Sequence, residues 1–283
     1  MSPYGSLTAA AIGSLMKELV RRVIGEIRSQ RFTFEARAKQ GSSGQMDDLV
    51  TTADAAAQEL YVKLLREWFP GFGIIAEENK LRLPCTLPGV DLYFTVDPLD
   101  GTKAFGRRES TGVGTMISLV MDGRVIAAYV GDVMTQDIYG FRPESAKVHH
   151  VTGFDHAVPL GPDLAIPISR QYVVLRDPLD EHSSAMQELV HSGKFKSHEI
   201  GGGSIGIMMA RLWRGVVGGV VLTSNQETPW DFNPIFGISD QLGFGFYQLS
   251  DGKPVPVPLQ PLKEVMHRSG ELLVIHKSFA KNW

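Results

Sequence analysis

The chain lacks several features that would point to a function directly. It has one cysteine, Cys85, which excludes an intramolecular disulfide and any cysteine-based zinc cluster and fits a reducing, cytoplasmic setting. Its eight histidines show no His-x-x-x-His or His-x-His spacing, so nothing argues for a histidine metal site, and His149-His150 reads as an exposed loop pair. The net charge is −3 and no Lys/Arg block interrupts the chain, which argues against a nucleic-acid polymer as partner. No apolar run approaches the ~18 residues that a membrane span needs. The apolar stretch Leu7 to Met16 is not preceded by a basic residue, and it runs with helical period into Lys17-Glu18-Leu19-Val20-Arg21-Arg22. It reads as a soluble amphipathic helix, not as a signal peptide. Solenoid repeats and low-complexity tracts are also missing.

What remains is ordinary globular composition over 283 residues, with 43% apolar and 21% charged. That length exceeds the ~100–150 residues of a common single domain, so two subdomains are expected, 1–150 and 151–283, with the boundary in the Pro-, Gly- and His-rich stretch from Val148 to Ile168. The first half predicts a helix from Leu7 to Gln30, an alternating strand from Phe32 to Ala38, and a loop at Gly41-Ser42-Ser43-Gly44-Gln45. A helix from Asp54 to Trp68 follows, then a strand at Gly73 to Ala76. Val113 to Met121 and Val125 to Val130 form a hairpin across Asp122-Gly123, and Gln136 to Phe141 adds a strand. In the second half strands and helices alternate, with strands at Tyr172–Leu175, Ser197–Ile200, Val216–Leu222 and Leu272–Ile275. The helices between them are Ser183–Val190, Ser204–Trp213 and Asp231–Leu242. The first half is α+β and the second α/β.

One hexapeptide carries more chemistry than the rest: Asp97-Pro98-Leu99-Asp100-Gly101-Thr102. It follows the strand-like run Leu92-Tyr93-Phe94-Thr95-Val96, and Pro98, without an N–H, is expected to stop the ladder there. Two carboxylates then stand at a strand end, beside a Gly turn and a helix start suited to an anion. The same residues are also ordinary turn formers. A second copy, Asp177-Pro178-Leu179-Asp180, continues without Gly-Thr and reads as a cap for the helix holding Met186 and Leu189.

Further acids lie at element boundaries: Asp54, Glu77-Glu78 and Asp231. Each alone suits a helix N-terminus, a solvated loop or an N-cap. Taken together, Asp48-Leu49-Val50-Thr51-Thr52-Ala53-Asp54, Ile75-Ala76-Glu77-Glu78, the central hexapeptide and Trp230-Asp231 resemble the inositol monophosphatase superfamily in order and spacing, over most of the chain. The resemblance implies a layered α-β-α-β-α sandwich and a Mg²⁺-dependent phosphomonoesterase of a small phosphorylated metabolite, often a homodimer, with two or three ions. By position, it implies that Glu77, Asp97 and the Leu99 carbonyl hold one Mg²⁺, and Asp97, Asp100 and Asp231 a second. Asp54 and Thr102, helped by Glu77, would orient a metal-activated water for direct in-line attack, and the N–H groups of Gly101 and Thr102 would receive phosphate oxygens. Like charges ~4 Å apart repel by about 4 kcal/mol at an effective dielectric of ~20, so crowded carboxylates call for cations, and all-oxygen ligands suit Mg²⁺ over zinc.

The chain also departs from that family. Ala76 replaces a usual Gly, Asn233-Pro234 follows Trp-Asp, and Ser224-Asn225-Gln226-Glu227 stands where an acid often binds a substrate hydroxyl, leaving Glu227 as the candidate. Gly201-x-Gly203-x-x-Gly206 has the form of a dinucleotide fingerprint without the surrounding βαβ units. In the resembled family this region lines the substrate pocket, which makes Gly203 and Ser204 candidate substrate contacts. Asp-Gly-Thr-Lys followed by Ala-Phe keeps two alternatives open, an adenosine 3′,5′-bisphosphate nucleotidase and a histidinol-phosphate phosphatase. Arg107-Arg108 either meets a second phosphate or is solvated. A non-catalytic metal- or phosphate-binding regulator is the alternative of another class.

Overall fold

The structure is a computed structural model and describes residues 4–39, 48–223 and 226–283. The loop expected at Gly41 to Gln45 lies outside the described residues, as do Ser224 and Asn225.

The chain opens with α1 (Ala9–Ser29), whose Thr8 cap accepts from Ala11 N at 3.1 Å. Ile12, Met16, Leu19, Val23 and Ile27 make its buried stripe, the three- and four-residue spacing of one helix face. The strand expected from Phe32 is shorter: Phe32 is exposed, and β1 (Ala36–Lys39) pairs antiparallel with β2 (Asp48–Thr51). Next come α2 (Thr52–Trp68), β3 (Gly73–Ala76), β4 (Arg82–Leu83), β5 (Leu92–Asp100) and α3 (Thr102–Gly106). The hairpin β6 (Gly114–Met121) and β7 (Arg124–Asp132) turns at Asp122 and Gly123, both with positive φ. It leads to β8 (Ile138–Phe141), β9 (His149–Val151) and β10 (Ala157–Pro159). His149 and His150, expected in an exposed loop, are half-buried in β9.

The second half runs β11 (Tyr172–Leu175), α4 (Ser184–His191), β12 (Ser197–Ile200), α5 (Ile205–Trp213), β13 (Gly219–Leu222), β14 (Gln226–Glu227) and α6 (Pro229–Gln241). It ends with β15 (Phe244–Ser250), β16 (Lys253–Pro256), β17 (Met266–His267), β18 (Leu272–His276) and α7 (Lys277–Lys281). Two sheets organise these elements, one in the order β10-β9-β8-β7-β6-β5-β3-β4 and one in the order β12-β11-β13-β18-β15-β16.

Period-two alternation separates the faces of both sheets. In β5 and β6, Phe94, Val96, Ile117 and Leu119 pack under α1 and α2. Met116, Ala128 and Val130 face the opposite way, onto Met209 and Trp213 of α5 and Ile235 of α6. In the second sheet Val174, Val220 and Val274 join that middle core, whereas Val173, Val221 and Ile275 meet Met186 and Leu189 of α4. The result is a five-layer α-β-α-β-α sandwich.

Two local expectations are corrected. β5 does not stop at Pro98: Asp97 pairs with Met116 and Asp100 with Gly114, so one extra residue bulges out of the strand there. A bulge is where a residue lacking an N–H can sit inside a ladder, and it re-aims the side chains around it. The second Asp-Pro-Leu-Asp copy does not cap α4. It opens a 3₁₀ turn, Leu179–Glu181, and α4 begins behind Ser183, whose N–H and hydroxyl both donate to Glu271. Buried His182 ties that turn down, with Nδ1 2.6 Å from Glu271 Oε1 and Nε2 3.1 Å from Asp177 O.

Candidate metal centre

Asp54 occupies the third position of α2. Thr51, the residue before the helix, donates to Asp54 Oδ2 through its N–H at 2.7 Å and its hydroxyl at 2.6 Å, completing a capping box. The other oxygen, Oδ1, accepts from the Thr102 hydroxyl at 2.9 Å. That hydroxyl also lies 3.0 Å from Leu99 O, so one proton faces two acceptors. Burial pushes the Asp54 carboxyl up to about 6, against the Thr51 and Thr102 hydrogen bonds that favour its charge.

Asp231 repeats the pattern on α6. Thr228 caps the helix, accepting from Asp231 N at 3.2 Å while its hydroxyl donates to Asp231 Oδ2 at 2.8 Å. Asp100 is held by a third helix start. Ser204, the cap of α5, donates its hydroxyl to Asp100 Oδ2, and Gly206 N donates to the same oxygen at 2.8 Å. Ile205 N reaches Asp100 Oδ1 at 3.1 Å. The Gly-x-Gly-x-x-Gly run therefore brings backbone N–H groups onto a carboxylate of the chain itself, an anion at a helix N-terminus.

Asp97 has less support: one backbone N–H, from Leu99, reaches its Oδ1 at 3.0 Å. Its carbonyl accepts from Thr115, whose hydroxyl lies 2.8 Å from the Tyr61 phenol of α2. Carboxylate oxygens of Asp97, Asp100 and Asp231 lie within 4.8 Å of one another. Burial first, then the charges of Glu77, Asp100 and Asp231, raise Asp97 well above the usual carboxylate range. Burial and Asp231 push Asp100 up to about 6.

Glu77 follows β3, beside β5, but its carboxylate turns to a cation. Lys39 Nζ donates to Glu77 Oε1 and to Glu78 Oε1, each at 2.8 Å. Burial pushes Glu77 up to about 8; Lys39 opposes the shift, and Asp231 and Glu78 add to it. The two carboxylates outweigh burial at Lys39 and hold its ammonium above the usual range.

Three glycines let the loops meet here. Gly101, at φ 88°, sits where an added Cβ would be 2.3 Å from Gly112 O, and Gly203, at φ 83°, where a Cβ would be 2.4 Å from the same oxygen. Gly112 O accepts from Ser204 N at 2.8 Å, which closes the junction.

The other residues singled out from sequence have partners of different kinds. Ser204 is buried, with its hydroxyl on Asp100 and on the α5 N-terminus. Glu227 accepts from Arg268 Nε at 2.6 Å in a largely buried ion pair. Asn233 is fully buried and exchanges two hydrogen bonds with the Leu262 backbone. Arg107 pairs with Glu109, and Arg108 lies over the Phe32 ring. Lys39 and Arg176 join the site without having stood out in the sequence. Arg176 is exposed just beyond β11, close enough for its charge to favour ionised Asp100. The signal for it was available, a cation directly after a buried strand.

The donor set fits a hard divalent cation. All donors are oxygens, their mutual repulsion raises their proton affinity, and nearby helix starts orient them. A five-layer sandwich with such a carboxylate cluster at the end of its first sheet is the class that the structure defines. A profile of the inositol monophosphatase family matches residues 10–254. The chain belongs to the inositol monophosphatase family.

Among curated relatives, the chain is 31% identical over 104 residues to Nus factor SuhB of Escherichia coli K12, covering 36% of this chain and 37% of that protein. It is 28% identical over 93 residues to the inositol-1-monophosphatase of Bacillus subtilis, covering 33% of this chain and 34% of that one. The matched stretches thus span about a third of those relatives' own length. Among solved structures, a staphylococcal IMPase-I complexed with products superposes with a TM-score of 0.72 at 17% identity, covering 98% of this chain and 94% of that one. An IMPase/NADP phosphatase complexed with Mg²⁺ and phosphate gives 0.71 at 17% identity, covering 98% and 94%. These structures share the fold.

Proposed function

We propose that the chain is a Mg²⁺-dependent phosphomonoesterase acting on a small phosphorylated metabolite of the inositol monophosphate kind. The observation that carries this is the convergence of Asp97, Asp100 and Asp231 beside the hydrogen-bonded pair Asp54 and Thr102. Membership of the family supports it, as do a relative named inositol-1-monophosphatase and a fold shared with an enzyme solved with Mg²⁺ and phosphate.

Asp97, Asp100 and Asp231 hold one cation in this scheme, and Glu77, Asp97 and the Leu99 carbonyl another. When bound, Mg²⁺ supplies positive charge to the phosphoryl oxygens and makes a water more acidic. Asp54 and Thr102 do the positioning. The Thr102 hydroxyl directs its proton toward Asp54 Oδ1, which leaves its oxygen free to accept a proton from the attacking water. Fixed on both sides, Asp54 is the terminal acceptor, and a carboxyl pushed up to about 6 suits a base working near neutral pH. The N–H groups of Gly101 and Thr102 open α3 and receive phosphate oxygens. Arg176 offers an exposed cation to an anionic part of the substrate. Gly203 and Ser204 shape the pocket from behind, through Gly112 and Asp100. Water attacks phosphorus directly as the ester P–O bond breaks, the leaving oxygen takes a proton from solvent and departs as the alcohol, and no residue is phosphorylated. The homodimer implied by the family is a second part of the proposal.

The test is phosphate release from inositol 1-phosphate, adenosine 3′,5′-bisphosphate, histidinol phosphate and fructose 1,6-bisphosphate, with Mg²⁺, with EDTA and with Li⁺. Mg²⁺-dependent release that is lost in Asp97→Asn is expected, with inositol 1-phosphate the best substrate. Preference for the nucleotide or histidinol phosphate would move the substrate assignment to that branch. Mg²⁺ binding without turnover of any of them would favour the binding-only alternative. Light-scattering mass in solution checks the dimer.

A further inference from the structure

A second charged region lies along α1, away from the carboxylates. A cleft of about 150 Å³ opens between the N-terminal half of α1 and strands β7 to β10. Lys17 comes to it from α1, Arg142 from the end of β8 and His149 from β9, and among the described residues no carboxylate lines it. The other cations of α1 have partners: Arg21 pairs with Asp155, Arg22 with Glu18 at 2.8 Å, and Arg28 donates to Val133 O at 2.8 Å. Among the described residues, the Lys17 and His149 side chains have no ion-pair or hydrogen-bond partner, and neither does the Tyr129 hydroxyl, which also lines the cleft.

The basic groups crowd one another. Burial and then Arg21 and Arg142 hold the Lys17 ammonium below its usual range, and burial followed by Lys147, Lys17 and Arg142 does the same to His149. Glycine brings the elements together. A Cβ on Gly13 would lie 2.4 Å from Arg142 Cβ, so the bare helix surface lets the arginine stem rest on it. Val151 and Ala157 give the cleft an apolar wall.

We propose that this cleft is a second anion-binding site, distinct from the metal centre, that takes the phosphate head of a small organic phosphate. Lys17, Arg142 and His149 meet the dianionic head, Tyr129 donates to one of its oxygens, and the carbon body lies along Val151 and Ala157. A phosphate dianion matches this charge, whereas a monocarboxylate would leave cations unpaired. The cleft is remote from the acids. Arg28, eleven residues beyond Lys17 and so about 16 Å along the helix, is the α1 residue that reaches the β7–β8 turn, next to Asp132. Asp132 in turn pairs with Gly114, the partner of Asp100.

The probe is phenylphosphonate, which has the head and a carbon body but no ester to hydrolyse, titrated calorimetrically into the full chain with Mg²⁺ present. The variant Lys17→Met/Arg142→Met is expected to bind one equivalent fewer than the parent, or to weaken that equivalent by about tenfold or more, the loss of one charged hydrogen bond. Phosphate release should be unchanged, because neither residue belongs to the metal centre. Lys17→Met alone should weaken the same equivalent, and it carries the test if the double variant does not fold. Inorganic phosphate, the second probe, should bind the cleft less tightly than phenylphosphonate. Equal stoichiometry and affinity in parent and variants would overturn the proposal. Equal affinity for the two probes would overturn the role of the apolar wall.

Discussion

The carboxylate centre and the α1 cleft are both crowds of like charge, but they are built differently. Helix starts brace the acids: Asp54 stands in the first turn of α2, Asp231 in that of α6, and α5 points its first N–H groups at Asp100. The basic groups of the cleft come from the middle of a helix, a strand end and a strand, where no backbone dipole holds them. The contrast extends within the acid cluster. Asp54 and Asp100, each with several donors, rise only to about 6, whereas Asp97, with one backbone donor, is driven well above the usual range. A capped carboxylate is partly neutralised by the protein; Asp97 is the one that a cation would neutralise. The acid centre is preorganised by the chain's own donors, whereas the basic cleft would be completed by the anion proposed for it.

Substitution should separate the two regions most sharply in turnover. Asp97→Asn is expected to lower Mg²⁺-dependent kcat/KM by more than about a hundredfold, beyond the 10–100-fold typical of residues that only support a metal ligand. Lys17→Met should leave turnover unchanged. Thr102→Val should cost about 10²–10⁴-fold in kcat, the range for losing a proton-handling group, while calorimetry still finds Mg²⁺ bound. Equal losses of kcat and of Mg²⁺ affinity would contradict the positioning role.

The pH dependence of stability sharpens the comparison further. Burial raises Asp54 and Asp100 to about 6 and Glu77 to about 8, above the values of an unfolded chain. The folded, cation-free protein therefore holds protons more tightly than the unfolded chain. This stabilisation is fully present at acid pH and is lost as pH rises through about 6 to 8. The Mg²⁺-free Tm should fall from pH 5 to pH 8, and added Mg²⁺ should raise Tm more at pH 8 than at pH 5. A Mg²⁺ effect independent of pH would count against the carboxylates as its site.

Smaller effects are expected at the supports. Gly203→Ala meets both a left-handed φ and Gly112 O, and should lower stability by about 1–3 kcal/mol in urea unfolding. Lys17→Met removes an unpaired cation from the cleft and should raise stability by a few tenths of a kcal/mol, within the usual surface range of ±0.5.

Much of this architecture was legible where local rules and tertiary demands agree. The α1 stripe, β3, β11, β12, the Asp122-Gly123 hairpin and the Gly101 turn all follow from period and turn chemistry. Pro98 misled because a bulge satisfies the ladder on either side of it. The β15–β16 hairpin was overlooked although Asp251-Gly252 separates its strands, the same signal used earlier in the chain. Other features depend on contacts far apart in sequence. Lys39 meets Glu77 only because β1 and β2 bring it there, and Ser204 reaches Asp100 across more than a hundred residues. The identical Asp-Pro-Leu-Asp copies differ for the same reason: one meets α5 and α6, the other meets His182, which Glu271 holds.

The most direct test of the central claim is calorimetric titration of Mg²⁺ into the full chain near neutral pH, repeated in buffers of different ionisation enthalpy. Carboxyls with raised proton affinity must release protons when a cation takes their place. The account predicts Mg²⁺ binding with net proton release, both abolished by Asp97→Asn and unaffected by Lys17→Met. Absence of Mg²⁺ binding, or binding that survives Asp97→Asn with its proton release intact, would contradict it.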